Sequence, residues 1–150
     1  MATITATPAR TQLFTQTSAI SGPIVLLGRV FFGLIFILAG PNNFSSQTIA
    51  YSASHGVPLA SLAVPFSAVL AILGGLSILL GYRAKIGAWF IALFLIGVTP
   101  MMHNFWTVSD PMAHQMQFIM FMKNVSMLGG ALLISQLGAG PWSLDSRGQK

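Results

Sequence analysis

Four apolar stretches, residues 20–40, 62–80, 86–103 and 118–137, dominate the chain. Each comes close to the roughly 20 residues that an α-helix rising 1.5 Å per residue needs to cross about 30 Å of hydrocarbon. Such a pattern predicts an all-α fold, an integral membrane four-helix bundle, because in lipid a helix satisfies its own backbone hydrogen bonds segment by segment. Only 6% of the 150 residues are charged, against about 25% in soluble domains, which argues against a water-soluble fold. Residues 1–19, rich in Thr and Ala, read as a flexible cytoplasmic tail, and residues 138–150 as a cytoplasmic C-terminal tail. The first apolar run is longer than the 7–15 residues of a signal-peptide core and no A-x-A-like site follows it, so it is expected to stay in the mature protein.

The cations give the orientation. Arg10 precedes the first span, Arg83 and Lys85 sit in the tight connection between the second and third, and Arg147 and Lys150 follow the fourth, while the loops 41–61 and 105–117 hold no Lys or Arg. The positive-inside bias puts both termini in the cytoplasm and those two loops outside. The formal net charge of +5 comes from seven scattered Lys and Arg against two acids, without the clustered basic face that nucleic acid requires. The absence of cysteine removes thiol–disulfide chemistry and Cys-ligated zinc or iron–sulfur sites.

Two further cations lie inside the spans, Arg29 and Lys123, and no Asp or Glu lies there to neutralise them. A charge in hydrocarbon costs at least about 2.5–3.5 kcal/mol, so each calls for a compensating partner. Lys123 is near enough to a helix end to snorkel. Arg29 would have to reach on the order of 12 Å, which points it into the bundle, toward helix carbonyls, Ser67, Ser77 or Ser126, a lipid head or a bound ligand. At the outer level of three helices the chain brings Asn42 and Asn43, His103 and Asn104, and Lys123 and Asn124, with Gln115, Gln117 and Trp106 close by. Together with Arg29 this set is the candidate polar pocket: Arg29, Asn42, Asn43, His103, Asn104, Trp106, Lys123 and Asn124.

Small residues in every span, Gly28, Gly33, Gly40, Gly74, Gly75, Gly87, Gly97, Gly129 and Gly130, offer surfaces for close helix approach. Pro100 frees a backbone carbonyl near Ile96, and the segment from Gly138 to Trp142 reads as a helix stop that seats Trp142 at the membrane interface. Only His103 lies near a span, so axial haem ligation on facing helices is not indicated. Zinc would need His55, His103, His114 and Asp110 to converge from the outer loops, and no metal site is assigned.

Gly28-Arg29, Phe32-Gly33 and Phe36 through Ala39-Gly40, then Gly56-Val57-Pro58, Leu73-Gly74-Gly75-Leu76 with Leu80-Gly81, His103-Asn104-Phe105-Trp106, and Phe121-Met122-Lys123-Asn124 with Leu128-Gly129-Gly130 together resemble the DoxX family of small bacterial membrane proteins. The resemblance covers nearly the whole chain after about Gly22. It implies a four-helix bundle in the bacterial inner membrane and a link to redox metabolism, since the family includes a quinone-reducing thiosulfate dehydrogenase subunit. The chain departs from the family at Pro41-Asn42-Asn43-Phe44, where a Lys is common, and at Ala71-Ile72-Leu73, where a Glu is common.

These residues fit a membrane quinone, which needs a flat apolar slot, donors for its carbonyl oxygens and a His able to exchange a proton. The electrons would pass through a soluble or peripheral redox partner protein. Two other classes remain open: a non-catalytic anchor or assembly partner for a redox or stress-response enzyme, and a small-solute transporter, which at this size would have to form a homo-oligomer.

Overall fold

A computed structural model describes the backbone of residues 9–147 and the side chains of residues 22–147. The elements are α1 (Ala9–Ala39), a 3₁₀ turn (Gly40–Phe44), α2 (Ser46–Ser54), α3 (Ala60–Leu80), α4 (Ala84–Met102), a second 3₁₀ turn (Phe105–Thr107), α5 (Pro111–Leu137) and the short α6 (Leu144–Arg147), with no strand among the described residues. Four helical stretches are long and apolar enough to cross a membrane: Gly22–Phe44, Ala60–Leu80, Ala84–Thr107 and Pro111–Leu137. The all-α four-helix architecture is therefore the one the chain adopts.

The helices begin earlier than hydropathy alone suggests. α1 starts at Ala9, well before residue 20, because no glycine or proline interrupts residues 9–21 and Pro23 is accommodated inside the helix. Residues 1–8 of the expected tail lie outside the described residues. α5 starts at Pro111 rather than 118: the Asp110 side chain accepts from the Ala113 N–H at 2.7 Å and Pro111 takes the first helical position, a start signal written in polar residues. The loop expected over 41–61 contains α2, opened by the Ser45 hydroxyl accepting from the Thr48 N–H at 3.2 Å.

Glycines set the tightest helix contacts. A Cβ on Gly33 would lie 2.7 Å from the Gly75 carbonyl oxygen, which brings α1 against α3, and one on Gly74 would lie 2.7 Å from the Gly87 carbonyl oxygen, which brings α3 against α4. Arg29, Gly33 and Phe36 of α1 form a buried stripe that continues into Gly40 of the 3₁₀ turn. Gly28, Gly97 and Gly129 belong to a different category, since a Cβ on any of them would meet nothing within 4 Å. The core is small and aliphatic: Ala71, Ile78, Ala88, Ile91, Ala92, Leu95 and Ala131 with Phe36, flanked by Phe32, Phe94 and Met127. α1 packs on α3, α3 on α4 and α4 on α5; between α1 and α5 the Phe32 ring reaches across to Gly130.

The C-terminal segment folds back across the end of the bundle that carries Arg83 and Lys85. α5 stops at Gly138 (φ 81°), and the chain reverses through Gly140 and Trp142, both at positive φ. Ala139 and Ser143 are buried. Asp145 then caps α4 from a distance: its carboxylate accepts from the Arg83 N–H at 2.8 Å and the Ala84 N–H at 3.1 Å, while its own N–H donates to the Gly81 carbonyl at 2.8 Å. Residues 138–142 stop α5 as the sequence suggests, and residues 139–147 of the C-terminal tail fold back as a strap, while 148–150 lie outside the described residues.

Candidate functional site

A cavity of about 840 Å³ lies within the opposite end of the bundle. Its walls are mostly apolar, with Phe66 and Leu70 from α3, Phe90, Leu93 and Val98 from α4, and Met127 from α5. Phe36 and Phe94, in edge-to-face contact with ring centroids 6.1 Å apart, line it where it adjoins the core. Thr48 and Ser52 of α2, with Val57, close it toward the loop side. Asn43, His103, Lys123 and Asn124 add the polar groups at its loop end.

Each of those polar groups is fixed by its neighbourhood. His103 ends α4, its N–H donating to the Thr99 carbonyl at 3.0 Å, and its Nδ1 lies 2.8 Å from Gln117 Oε1 on α5. An amide oxygen only accepts, so with Gln117 turned this way Nδ1 carries the proton and Nε2 is left with the lone pair of the neutral ring. Phe105 pins the segment to α5 by stacking edgewise on His114, Phe118 and Phe121, with centroids 5.6, 5.2 and 5.4 Å away. Asn124 is buried on α5. Next to it on the same helix, the Lys123 ammonium has a single weak contact, to Met120 Sδ at 3.4 Å, and so keeps donor capacity for a ligand.

The structure separates the other four candidates from this group. Asn42 is exposed, and its backbone carbonyl accepts from the Ser45 N–H and hydroxyl. Asn104 caps the second 3₁₀ turn, its carbonyl accepting from Thr107. Trp106 is mostly exposed and packs on Phe105 and Phe121. Arg29 is at the far end of the bundle. It is 4% exposed, and its Nη2 donates to the Trp142 carbonyl at 2.5 Å.

Arg29 therefore belongs to the strap and not to the cavity. A Cβ on Gly81 would overlap its guanidinium, and Asp145 is the carboxylate whose charge acts on it. The acceptors expected from Ser67, Ser77 and Ser126 are not used: the Ser67 hydroxyl donates to Val64, and that of Ser77 to the Tyr82 and Arg83 carbonyls. Nε and Nη1 of Arg29 are buried without a partner. Among the described residues no three His, Asp or Glu side chains gather into a metal-binding group. His55 bonds to the Tyr51 carbonyl through Nδ1, and His114 packs on Phe105.

Fold and site define a polytopic four-helix membrane protein with a ligand-sized cavity among its helices. The chain is 32% identical over 127 residues to the inner membrane protein YphA of Escherichia coli (strain K12), covering 83% of this chain and 89% of that protein. It is 33% identical over 124 residues to the inner membrane protein YqjF of the same organism, covering 81% and 88%. The ER-derived vesicles protein ERV29 of Saccharomyces cerevisiae is 24% identical over 128 residues, 82% of this chain but 41% of that protein. The DoxX family profile matches residues 24–104, and the chain belongs to the DoxX family. It is a multi-pass bacterial inner membrane protein. No solved structure matches it.

Sequence reading missed that Trp142 and Asp145 turn back onto Arg29 and the start of α4, and missed the roof supplied by α2. Asp145 had a usable signal, being one of only two acids in the chain with a buried arginine in need of an anion. The roof had none, because Ser52 and Thr48 look like ordinary loop residues until α2 is placed.

Proposed function

We propose that this DoxX protein is a quinone-interacting membrane subunit of a redox system, holding the quinone head in the cavity with its loop end toward the periplasm. The observation that carries the reading is the pairing of an apolar, phenylalanine-lined slot with His103, Lys123 and Asn124 at one end. A quinone supplies paired electron and proton transfer when bound. The chain's own residues bind and orient it: Phe66, Phe90 and Phe94 offer flat walls, while Lys123 and Asn124 can donate to a carbonyl oxygen. His103, with its Nδ1 proton committed to Gln117, presents Nε2 to accept a proton, or in its imidazolium form to give one back. Electrons come from a partner protein that carries its own redox centre. The orientation follows the positive-inside bias: Arg83, between α3 and α4, and Lys85, in the first turn of α4, lie at the end away from the cavity, the end this reading assigns to the cytoplasm.

Extraction into nanodiscs followed by quinone assay tests the reading. The wild-type chain should retain quinone, and His103→Ala and Lys123→Ala should lose at least tenfold of it with little change in unfolding temperature. Equal retention in both variants, or none in the wild type, would count against quinone binding. If quinone is absent and deletion within residues 41–61 or 105–117 releases a co-purifying protein, anchoring is the better account.

A further inference from the structure

We infer that the cavity is loaded sideways from the bilayer, through a cleft between the halves of α3 and α4 remote from their connection, so that its ligand is a lipid-dissolved amphiphile and not a solute arriving from water. The inference rests on the cavity being a binding site, and it adds a route and a solubility class to that reading.

The α3–α4 hairpin is tight near its connection, and further along both helices line the cavity. Near the connection, Gly74 and Gly87 bring the two backbones together. At the level of the cavity, Phe66 of α3 and Leu93 of α4 line the space yet are 65% and 57% exposed. A side chain that both lines a cavity and faces outward marks its rim. On a membrane-crossing helix an outward apolar side chain faces lipid, so this rim opens on acyl chains. Gly97, also on the rim, has open space where a Cβ would stand, a notch in the α4 wall. On the loop side α2 contributes to the cavity wall, with Thr48 half-buried and Ser52 3% exposed.

Polarity along the route follows the same direction. Between α3 and α4 the rim is apolar, while the groups that can bond a head, Asn124 and His103, are less exposed and come from further round the cavity wall, with the exposed Lys123 at its loop end. A molecule entering head first trades hydrocarbon for those donors while its apolar body remains between α3 and α4. A hydrated solute would have to shed its water at Phe66 and Leu93 before meeting any polar partner, which is costly.

The chain has no cysteine, so introduced thiols can be placed without background. Phe66→Cys/Met101→Cys, bridged by a reductant-cleavable bis-thiosulfonate linker, spans the α3–α4 cleft; Phe32→Cys/Gly130→Cys, bridged likewise, spans α1 and α5 where Phe32 meets Gly130 outside the cavity lining, as the control. In nanodiscs the α3–α4 bridge should slow exchange of bound quinone for isotope-labelled quinone at least tenfold, reversibly on reduction, and the α1–α5 bridge should not. Unchanged exchange across the α3–α4 bridge, or equal slowing by both, would overturn the route. A spin label on Gly97→Cys reads access without any quinone: collisions with oxygen should be frequent and those with a water-soluble nickel chelate rare, relative to Ser109→Cys in the exposed loop. Nickel access at Gly97→Cys equal to that at Ser109→Cys would also overturn it. If the wild type holds no quinone while the collision pattern stands, the quinone reading falls and the lipid-facing cavity survives.

Discussion

Replacing Asp145 tests whether the C-terminal strap is a structural clamp or a loose tail. The carboxylate accepts two backbone N–H groups, from Arg83 at 2.8 Å and Ala84 at 3.1 Å, at the start of α4. Loss of an N-cap acceptor costs about 0.5–2 kcal/mol, and hydrogen bonds to a charged group contribute about 1.5–3 kcal/mol. Because Asp145 is only half-buried, the lower part of that range applies, and Asp145→Ala should cost about 2 kcal/mol. For a chain of this size that lowers the unfolding temperature by roughly 4–8 °C.

A second part of the effect passes through Arg29, which is buried with Nε and Nη1 unpartnered. Asp145 is the carboxylate whose charge acts on that guanidinium, so removing it leaves the buried charge with the Trp142 carbonyl as its remaining partner. The two residues should therefore be coupled. In a double-mutant cycle with Arg29→Met and Asp145→Ala, thermal unfolding in detergent should give a coupling of about 1 kcal/mol or more, well beyond the 0.3–0.5 kcal/mol scatter of independent sites. Strictly additive variants, or an Asp145→Ala protein that melts within a degree of wild type, would refute the clamp.

Three further outcomes follow from individual contacts. Gly81→Ala must hold φ 65° at a cost of about 1–2 kcal/mol and displace the Arg29 guanidinium, so limited proteolysis should cut residues 138–147 faster than in wild type. Gly97→Leu fills open space on the cavity rim and removes a helical glycine worth up to about 1 kcal/mol; it should raise the unfolding temperature while abolishing quinone retention, whereas retention at the wild-type level would place the ligand elsewhere. Gln117→Leu removes the partner of His103 Nδ1, about 1 kcal/mol for a neutral hydrogen bond, and should weaken quinone binding about fivefold as read by titration in nanodiscs.

How much of this could be read in the sequence depends on what kind of signal each feature left. The four spans were legible because hydrocarbon imposes a length and excludes charge, and both leave a local record. The tight glycines were legible as a class but not one by one: Gly33 and Gly97 look alike in sequence, yet the first touches the backbone of α3 and the second faces open space. Helix starts were hidden because Asp110-Pro111 and Ser45 are capping signals set among polar residues that hydropathy treats as loop.

Arg29 shows the deeper difficulty. A buried cation demands a partner, and that demand was visible, but the search for an acceptor inside the spans assumed that the acceptor would share the cation's depth. Instead a segment beyond the last span, reversing at three positive-φ residues, Gly138, Gly140 and Trp142, delivers both a carbonyl and a carboxylate to one end of the bundle. Chain reversals of that kind depend on how α1, α3 and α5 end relative to one another, which no single window of sequence contains. Lys123 poses the opposite case: it keeps only a methionine sulfur for company. Of the two intramembrane cations, one has its charge answered within the fold and the other does not, and the unanswered one lines the cavity.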